Sequence, residues 1–379
     1  MADNARVDTD EVWQIWATAA VSALLAVLLV VWGVRARRQR REGRHGWWRT
    51  VVAGVLAFVL LLFAAGLAVG AHYGYLSSWR SLVGVFNDVA EDEPLVVPMG
   101  KPWTPPADTT ESAGVVVHVT VQSTARGVPD STVNIYLPPG YTQNPDTHYP
   151  TIYMLHGAPG YGTDWFDSGD LDDHLDTLIA AGTMPPVIAV APDMDLGSSD
   201  EPVNYPGAGP DRGDFLTLDL VPWVDAHLRT KAEAGQRVLG GMSAGGYGAL
   251  IDSVDKPDVW GGTFSAMPYM QPVAPQLNAD PSGAPGSFPA TAIPAAGNLS
   301  GHPFYLGYVS TEGPSQANEI AGLLTTQGAT VKVEGVEGGH DWISAPKLAV
   351  MGLPWLAQQL GWIAGTPDSS ATAEPTVTP

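Results

Sequence analysis

Residues 240–248 read GGMSAGGYG, one serine among five glycines, with apolar residues on either side. Glycine inside a helix or strand costs roughly 0.5–1 kcal/mol relative to alanine, so this backbone must do something a side chain would block. Gly241-Met242-Ser243-Ala244-Gly245 has the G-x-S-x-G form of a sharp strand-to-helix turn that lifts a serine hydroxyl clear of its neighbours. Such a hydroxyl becomes a nucleophile only beside a base. Ser243 is thus a candidate for attack on an acyl carbonyl. The backbone N–H of Ala244, at the head of the following helix, is a candidate donor to the oxyanion that forms.

The partners of that serine are sought downstream, because the order for such a turn is serine, acid, histidine. Of nine histidines only His302 and His340 follow Ser243. His302 opens the run PFYLGYVS, at the end of a strand away from the serine. His340 follows the run TVKVEGV in VEGVEGGHDWI, where Gly338 and Gly339 let the loop turn inward, and it is the candidate base. Glu312, just past PFYLGYVS, is the candidate acid that would hold the imidazole tautomer. Asp341 adjoins the histidine and would struggle to fold back on its ring, and Asp280 lies in a proline-rich loop. A second oxyanion donor is expected after TIYMLHG, where Ala158 offers an N–H and Pro159 has none. His156 is read as closing that loop by a hydrogen bond, and Trp165 as a core aromatic.

These residues need a scaffold, and the chain between 115 and 363 supplies an alternating pattern. GVVVHVTV and TVNIYL read as an early hairpin. TIYML, VIAVAP, RVLGGM, GTFSAM, PFYLGYVS and TVKVEGV read as strands, separated by amphipathic helical runs. The expectation is an α/β fold, a mostly parallel central sheet with helices on both faces, in which chemistry sits at the carboxyl ends of the strands. DFLTLDLVPWVDAHLR reads as one helix despite Pro222. The proline-rich stretch 268–303 reads as a long loop, either a lid or a surface excursion.

Val12–Val34 and Thr50–Ala71 carry no charge and suit two transmembrane helices. Between them, residues 35–49 hold seven arginines against one acid, which puts this loop in the cytoplasm and the rest outside the membrane. From Thr50 onward 34 acids face 10 bases, a balance unsuited to nucleic acid. The chain has no cysteine, hence no disulfide, thiolate metal site or cysteine nucleophile. Neither H-E-x-x-H nor a Walker A pattern occurs, and no metal or cofactor is expected. The expected division is a short extracytoplasmic N-terminus (1–11), helices at 12–34 and 50–71 around the basic loop 35–49, a linker (72–114), a catalytic domain (115–363) and a disordered tail (364–379).

LHGAPGYGTDW, LVPWVDAHLRT, GGMSAGGYGAL and GGHDW, in that order, resemble the esterase D/antigen 85 branch of the α/β-hydrolases over about residues 115–363. That group holds carboxylesterases, feruloyl esterases and the mycolyltransferases of actinobacterial envelopes. The resemblance implies Ser243 as nucleophile, His340 as base, an acid at or near Glu312, and oxyanion amides at Ala158 and Ala244. The two-helix anchor is similar to that of actinobacterial esterases. Mycolyltransferases carry an aspartate where His156 stands and an arginine just beyond it, and this departure favours hydrolysis over sugar acylation. The expected function is a membrane-anchored serine esterase acting on an acyl ester, with envelope lipid a possible substrate. The alternatives are an acyltransferase on envelope lipids or sugars, and a catalytically silent binding domain.

Overall fold

The computed structural model describes residues 12–39, 47–72, 74–76, 95–106, 108–194 and 201–363. The expected N-terminal segment and the tail lie outside the described residues, as do 40–46 of the basic loop and 73, 77–94 and 107 of the linker.

Two long helices come first, α1 (Val12–Gln39) and α2 (Trp47–His72). Each reaches into the arginine-rich segment beyond the apolar run read from sequence. Their apolar windows, Trp13–Arg35 and Thr50–His72, are 23 residues each. At 1.5 Å per residue that is about 35 Å, long enough to cross a hydrocarbon layer of about 30 Å. The packing is inside-out relative to a water-soluble pair. Small residues (Ala19, Ser22 and Ala26 of α1; Ala53, Ala57, Ala64 and Ala71 of α2) are buried, while Leu24, Leu28, Phe58 and Leu62 are exposed. Phe58 is 62% and Leu62 58% accessible, in positions that water would penalise and lipid would not.

The second unit is built on an eight-stranded sheet in the order β1-β2-β4-β3-β5-β6-β7-β8. Its strands are β1 (Val115–Val121), β2 (Ser131–Leu137), β3 (Thr151–Leu155), β4 (Ile188–Pro192), β5 (Arg237–Met242), β6 (Gly262–Ala266), β7 (Pro303–Val309) and β8 (Thr330–Val336). β2 runs antiparallel to both β1 and β4. All remaining pairs are parallel. β3, β4, β5 and β6 are buried at every position, as strands covered on two faces must be. The alternation along β7 shows the two covers. Phe304 and Leu306 cluster with Leu250, Ile320 and Leu324 of the helices Ala244–Asp255 and Ser315–Thr326. On the other face a Cβ at Gly307 would meet Leu348, and one at Gly352 would meet Tyr305, both in the seam with helix Ala345–Gln359. The expected parallel sheet with helices on both faces is what folds.

Two stretches differ from the sequence expectation. The run 214–229 is not one α-helix: Phe215–Leu220 is wound as a π-helix, and α-helical turns begin at Val221 with Pro222 in the first of them. A proline has no N–H and crowds the preceding turn, and wider turns before it relieve the clash. The stretch 268–303 holds helices Pro275–Ala279 and Pro289–Ala295 and a 3-10 turn at Pro285–Ser287. Each opens on a proline, whose fixed φ and missing donor suit a first helical position. Leu277, Ala284, Ala292 and Ile293 bury with Tyr247, Leu250 and Ile251 of the helix after Ser243. The segment is thus part of the core.

Candidate active site

Ser243 stands between β5 and helix Ala244–Asp255 with φ 55° and ψ −120°, a conformation L-residues avoid. Holding it costs about 1–3 kcal/mol, which the surroundings must supply. They do so from both sides of the peptide. Ser243 N–H donates to Ala266 O at 2.9 Å, and Tyr247 N–H donates to Ser243 O at 2.8 Å. The flanking glycines are required by contact. A Cβ at Gly241 would lie 2.4 Å from Gly245 C, and one at Gly245 would lie 2.3 Å from Leu155 O. The helix head is therefore pressed against the carboxyl end of β3.

That end of β3 carries the second half of the site. A Cβ on Gly157 would sit 3.6 Å from Ser243 Cβ, so the loop holding Ala158 abuts the serine. His156 is buried. Its Nδ1–H donates to Gly157 O at 2.7 Å, and its Nε2 accepts from Met194 N–H at 2.9 Å. An Nε2 that accepts leaves the ring proton on Nδ1. Burial lowers the ring's pKa, but Asp193, with Oδ1 3.5 Å from Nε2, and the Gly157 carbonyl together raise it above the ordinary histidine value. The Gly157 carbonyl shares its peptide plane with the Ala158 N–H, so the same bond orients that amide. Asp164 tightens the loop by accepting from Tyr161 N–H at 2.9 Å. Trp165 donates from Nε1 to Leu155 O and is wholly buried, a core residue. Among the described residues neither Ala158 N–H nor Ala244 N–H donates to a protein acceptor.

β7 and β8 bring the remaining pair together. Glu312 follows β7, and its N–H donates to Val309 O at 3.1 Å, closing the turn. His340 follows β8. Its Nδ1–H donates to Glu312 Oε1 at 2.7 Å. The carboxylate can only accept, so Nδ1 carries the proton and the Nε2 lone pair is left for chemistry. Both side chains are accessible, 34% for the histidine and 42% for the glutamate. Asp341 accepts from Ile343 N–H, and Asp280 caps its own turn through Ser282 and Gly283. His302 is buried at the amino end of β7, with Nε2 2.9 Å from Thr263 Oγ1 and burial lowering its pKa to about 4.

Ser243 and His340 are not hydrogen-bonded in this structure. They share the carboxyl edge of one sheet, at the ends of β5 and β8, with the turn after β7 between them. Nucleophile–base contacts of this kind are commonly long before substrate binds. Glu201 is one residue the sequence reading missed. Almost fully buried, it accepts from Tyr269 Oη and from the N–H groups of Val273 and Ala274. Gln316 accepts from Met270 N–H at 3.0 Å. Together they fasten the segment after β6, beside the serine. A glutamate in EPVNYP gave no pattern by which to find it.

The chain is similar to known proteins over the α/β unit. Residues 128–305 match the family described as "Putative esterase". The chain is 30% identical over 166 residues to an endo-1,4-beta-xylanase/feruloyl esterase of Xylanibacter ruminicola, covering 41% of this chain and 22% of that protein. It is 37% identical over 124 residues to an esterase of Mycobacterium tuberculosis, covering 31% of this chain and 25% of that protein. The match thus spans a quarter or less of the length of these two relatives. Among solved structures, a ferulic acid esterase superposes with a TM-score of 0.57 at 20% identity, covering 65% of this chain and 99% of that one. The S-formylglutathione hydrolase of Agrobacterium tumefaciens superposes with a TM-score of 0.55 at 16% identity, covering 68% of this chain and all of that one. At such identities the superpositions establish the α/β-hydrolase fold, and the sequence match is to a putative-esterase domain at residues 128–305, just under half of the chain.

Proposed function

We propose that this protein is a membrane-anchored serine esterase that hydrolyses carboxylic esters through an acyl-enzyme on Ser243. The observation that carries the reading is the Glu312–His340 hydrogen bond, made at the same sheet edge as a strained serine. In the proposed cycle Ser243 Oγ attacks the acyl carbonyl as His340 Nε2 takes its proton. Glu312 holds the ring by Nδ1–H and stabilises the imidazolium. The carbonyl oxygen, now an alkoxide, is met by the N–H groups of Ala158 and Ala244. On collapse His340 returns the proton to the leaving alcohol. Water then enters by the same route, deacylates the serine and releases the acid.

The membrane part of the proposal rests on the two apolar helices and their outward-facing Leu, Val and Phe side chains. The arginines concentrated between them in sequence favour a cytoplasmic connection, with the α/β unit on the other side of the membrane. A fluorophosphonate probe tests the chemistry. Wild type is expected to be labelled and to release p-nitrophenol from short p-nitrophenyl esters, and Ser243→Ala to do neither. Equal labelling of the two proteins would remove Ser243 from the mechanism.

A further inference from the structure

A cavity of about 340 Å3 opens on the α/β unit, and none of the candidate catalytic residues lines it. Its walls come from the helix after Ser243 (Ile251, Asp252, Asp255), from Tyr205 and Pro206, and from the turn ending at Ser287. Asp252 is nine residues beyond the serine, about 13 Å along the helix axis. This space is distinct from the place where an ester would react.

The chemistry of the walls is one-sided. Their only charged side chains are the two aspartates. Asp252 is 5% exposed. Its Oδ2 accepts from Trp260 Nε1 at 2.8 Å. Its Oδ1 accepts a hydrogen bond from no described residue. A carboxylate accepts at both oxygens, so this one is open to a donor that enters the cavity Asp252 lines. Burial also pushes the Asp252 carboxyl up to about 7, so near neutral pH its proton is readily exchanged for another positive donor. Asp255 is more exposed and pairs with Lys256 through Oδ2 at 2.6 Å. Arg212 already lies over the Tyr205 ring at 5.3 Å, outside the wall, so an incoming cation is directed to Asp252 rather than to the ring. Ile251, Pro206 and Tyr205 supply an apolar surface beside the carboxyl group.

We propose that this cavity is a second binding site, for a small organic ammonium ion whose N–H group donates to Asp252 Oδ1 while its apolar body lies against Ile251, Pro206 and Tyr205. The volume falls within the range of small-molecule sites. The proposal does not depend on the esterase reading.

The test uses the full chain in a nonionic detergent and isothermal titration calorimetry at about pH 8, where benzylamine is the benzylammonium cation. Saturable binding with a dissociation constant of about 1 mM is expected, with benzyl alcohol, the neutral isostere, at least about tenfold weaker. Asp252→Asn retains an acceptor for Trp260 and is expected to weaken benzylammonium binding at least about tenfold. Ser243→Ala is expected to bind as wild type does. Gly286, also in the wall, has open space where a Cβ would stand, so Gly286→Phe obstructs the cavity without displacing an atom at that point. It serves if Asp252→Asn fails to fold, and is likewise expected to weaken binding. No saturation by about 20 mM, equal affinity for benzyl alcohol, or undiminished binding in the folded variant would overturn the proposal.

Discussion

Replacing Gly245 by alanine is the sharpest single perturbation the site offers. The new Cβ would fall 2.3 Å from Leu155 O and 2.4 Å from His156 O. Ordinary contact begins at 3.4 Å, so about 1 Å must be found somewhere. Leu155 ends β3, which is hydrogen-bonded to β4 on one side and β5 on the other, and it cannot retreat alone. The adjustment therefore falls on the helix head with the Ala244 N–H, or on the loop with the Ala158 N–H. An oxyanion donor works over roughly 2.7–3.1 Å, and a displacement of about 1 Å removes one of the two. The expected loss is about 10²–10³ in kcat, or about 3–4 kcal/mol of transition-state stabilisation, with KM little changed. Overpacking adds about 1–3 kcal/mol of destabilisation, visible as a lower Tm. The assay is steady-state hydrolysis of p-nitrophenyl acetate beside a thermal melt. Gly322→Ala, on the helix Ser315–Thr326 with open space at its Cβ, is the control expected to turn over normally. A folded Gly245→Ala enzyme with kcat within about threefold of wild type would refute the steric argument and the placing of the two donors.

Other outcomes follow from the same structure. Glu312→Gln removes the charge that stabilises the imidazolium; because this carboxylate is 42% exposed, the expected fall in kcat is about 10²-fold, below the ~10⁴ known for buried triad acids, and stopped-flow or steady-state ester hydrolysis measures it. His302 is neutral in both folded and unfolded chains above its ordinary pKa, so it adds no pH dependence there. As pH falls from about 6.5 towards 4 the unfolded chain takes a proton that the buried ring refuses, and stability drops by up to about 3 kcal/mol. His302→Gln should therefore lose less Tm than wild type between about pH 7 and 4.5, and parallel melting curves would count against this assignment. The helix pair predicts that the full chain stays with membranes through an alkaline carbonate wash and leaves only with detergent; release by carbonate would exclude spanning helices.

Most of the scaffold was legible because buried parallel strands are short apolar runs and the helices between them are amphipathic, two periods that sequence displays directly. Ser243 was legible through its glycines, four of which (Gly241, Gly245, Gly246 and Gly248) answer a contact under 3 Å. His340 and Glu312 were legible by position after the last two strands, and the geometry pairs them. The order in which strands align was not: the antiparallel pairing of β2 with β4 depends on long-range packing that no local run encodes. The segment 268–303 misled because its prolines read as loop, whereas three of them begin helical turns. The π-wound turns before Pro222 escaped notice because amphipathic spacing tolerates one wide turn. Glu201 escaped notice because a buried acid and a surface acid look alike in sequence, and only its three donors tell them apart.

The segment between β6 and β7 is moored near its start, by Glu201 and Gln316, and again by Tyr247 Oη at the Ser287 carbonyl. Neither mooring uses a residue assigned to bond-breaking. The span between them, from Pro275 to Gly286, is held at both ends and pinned from within by Leu277 and Ala284, so it is a fixed wall of the α/β unit rather than a strap that swings. Its outward side chains can be exchanged without disturbing either anchor or the hydrogen bonds that set the posture of Ser243.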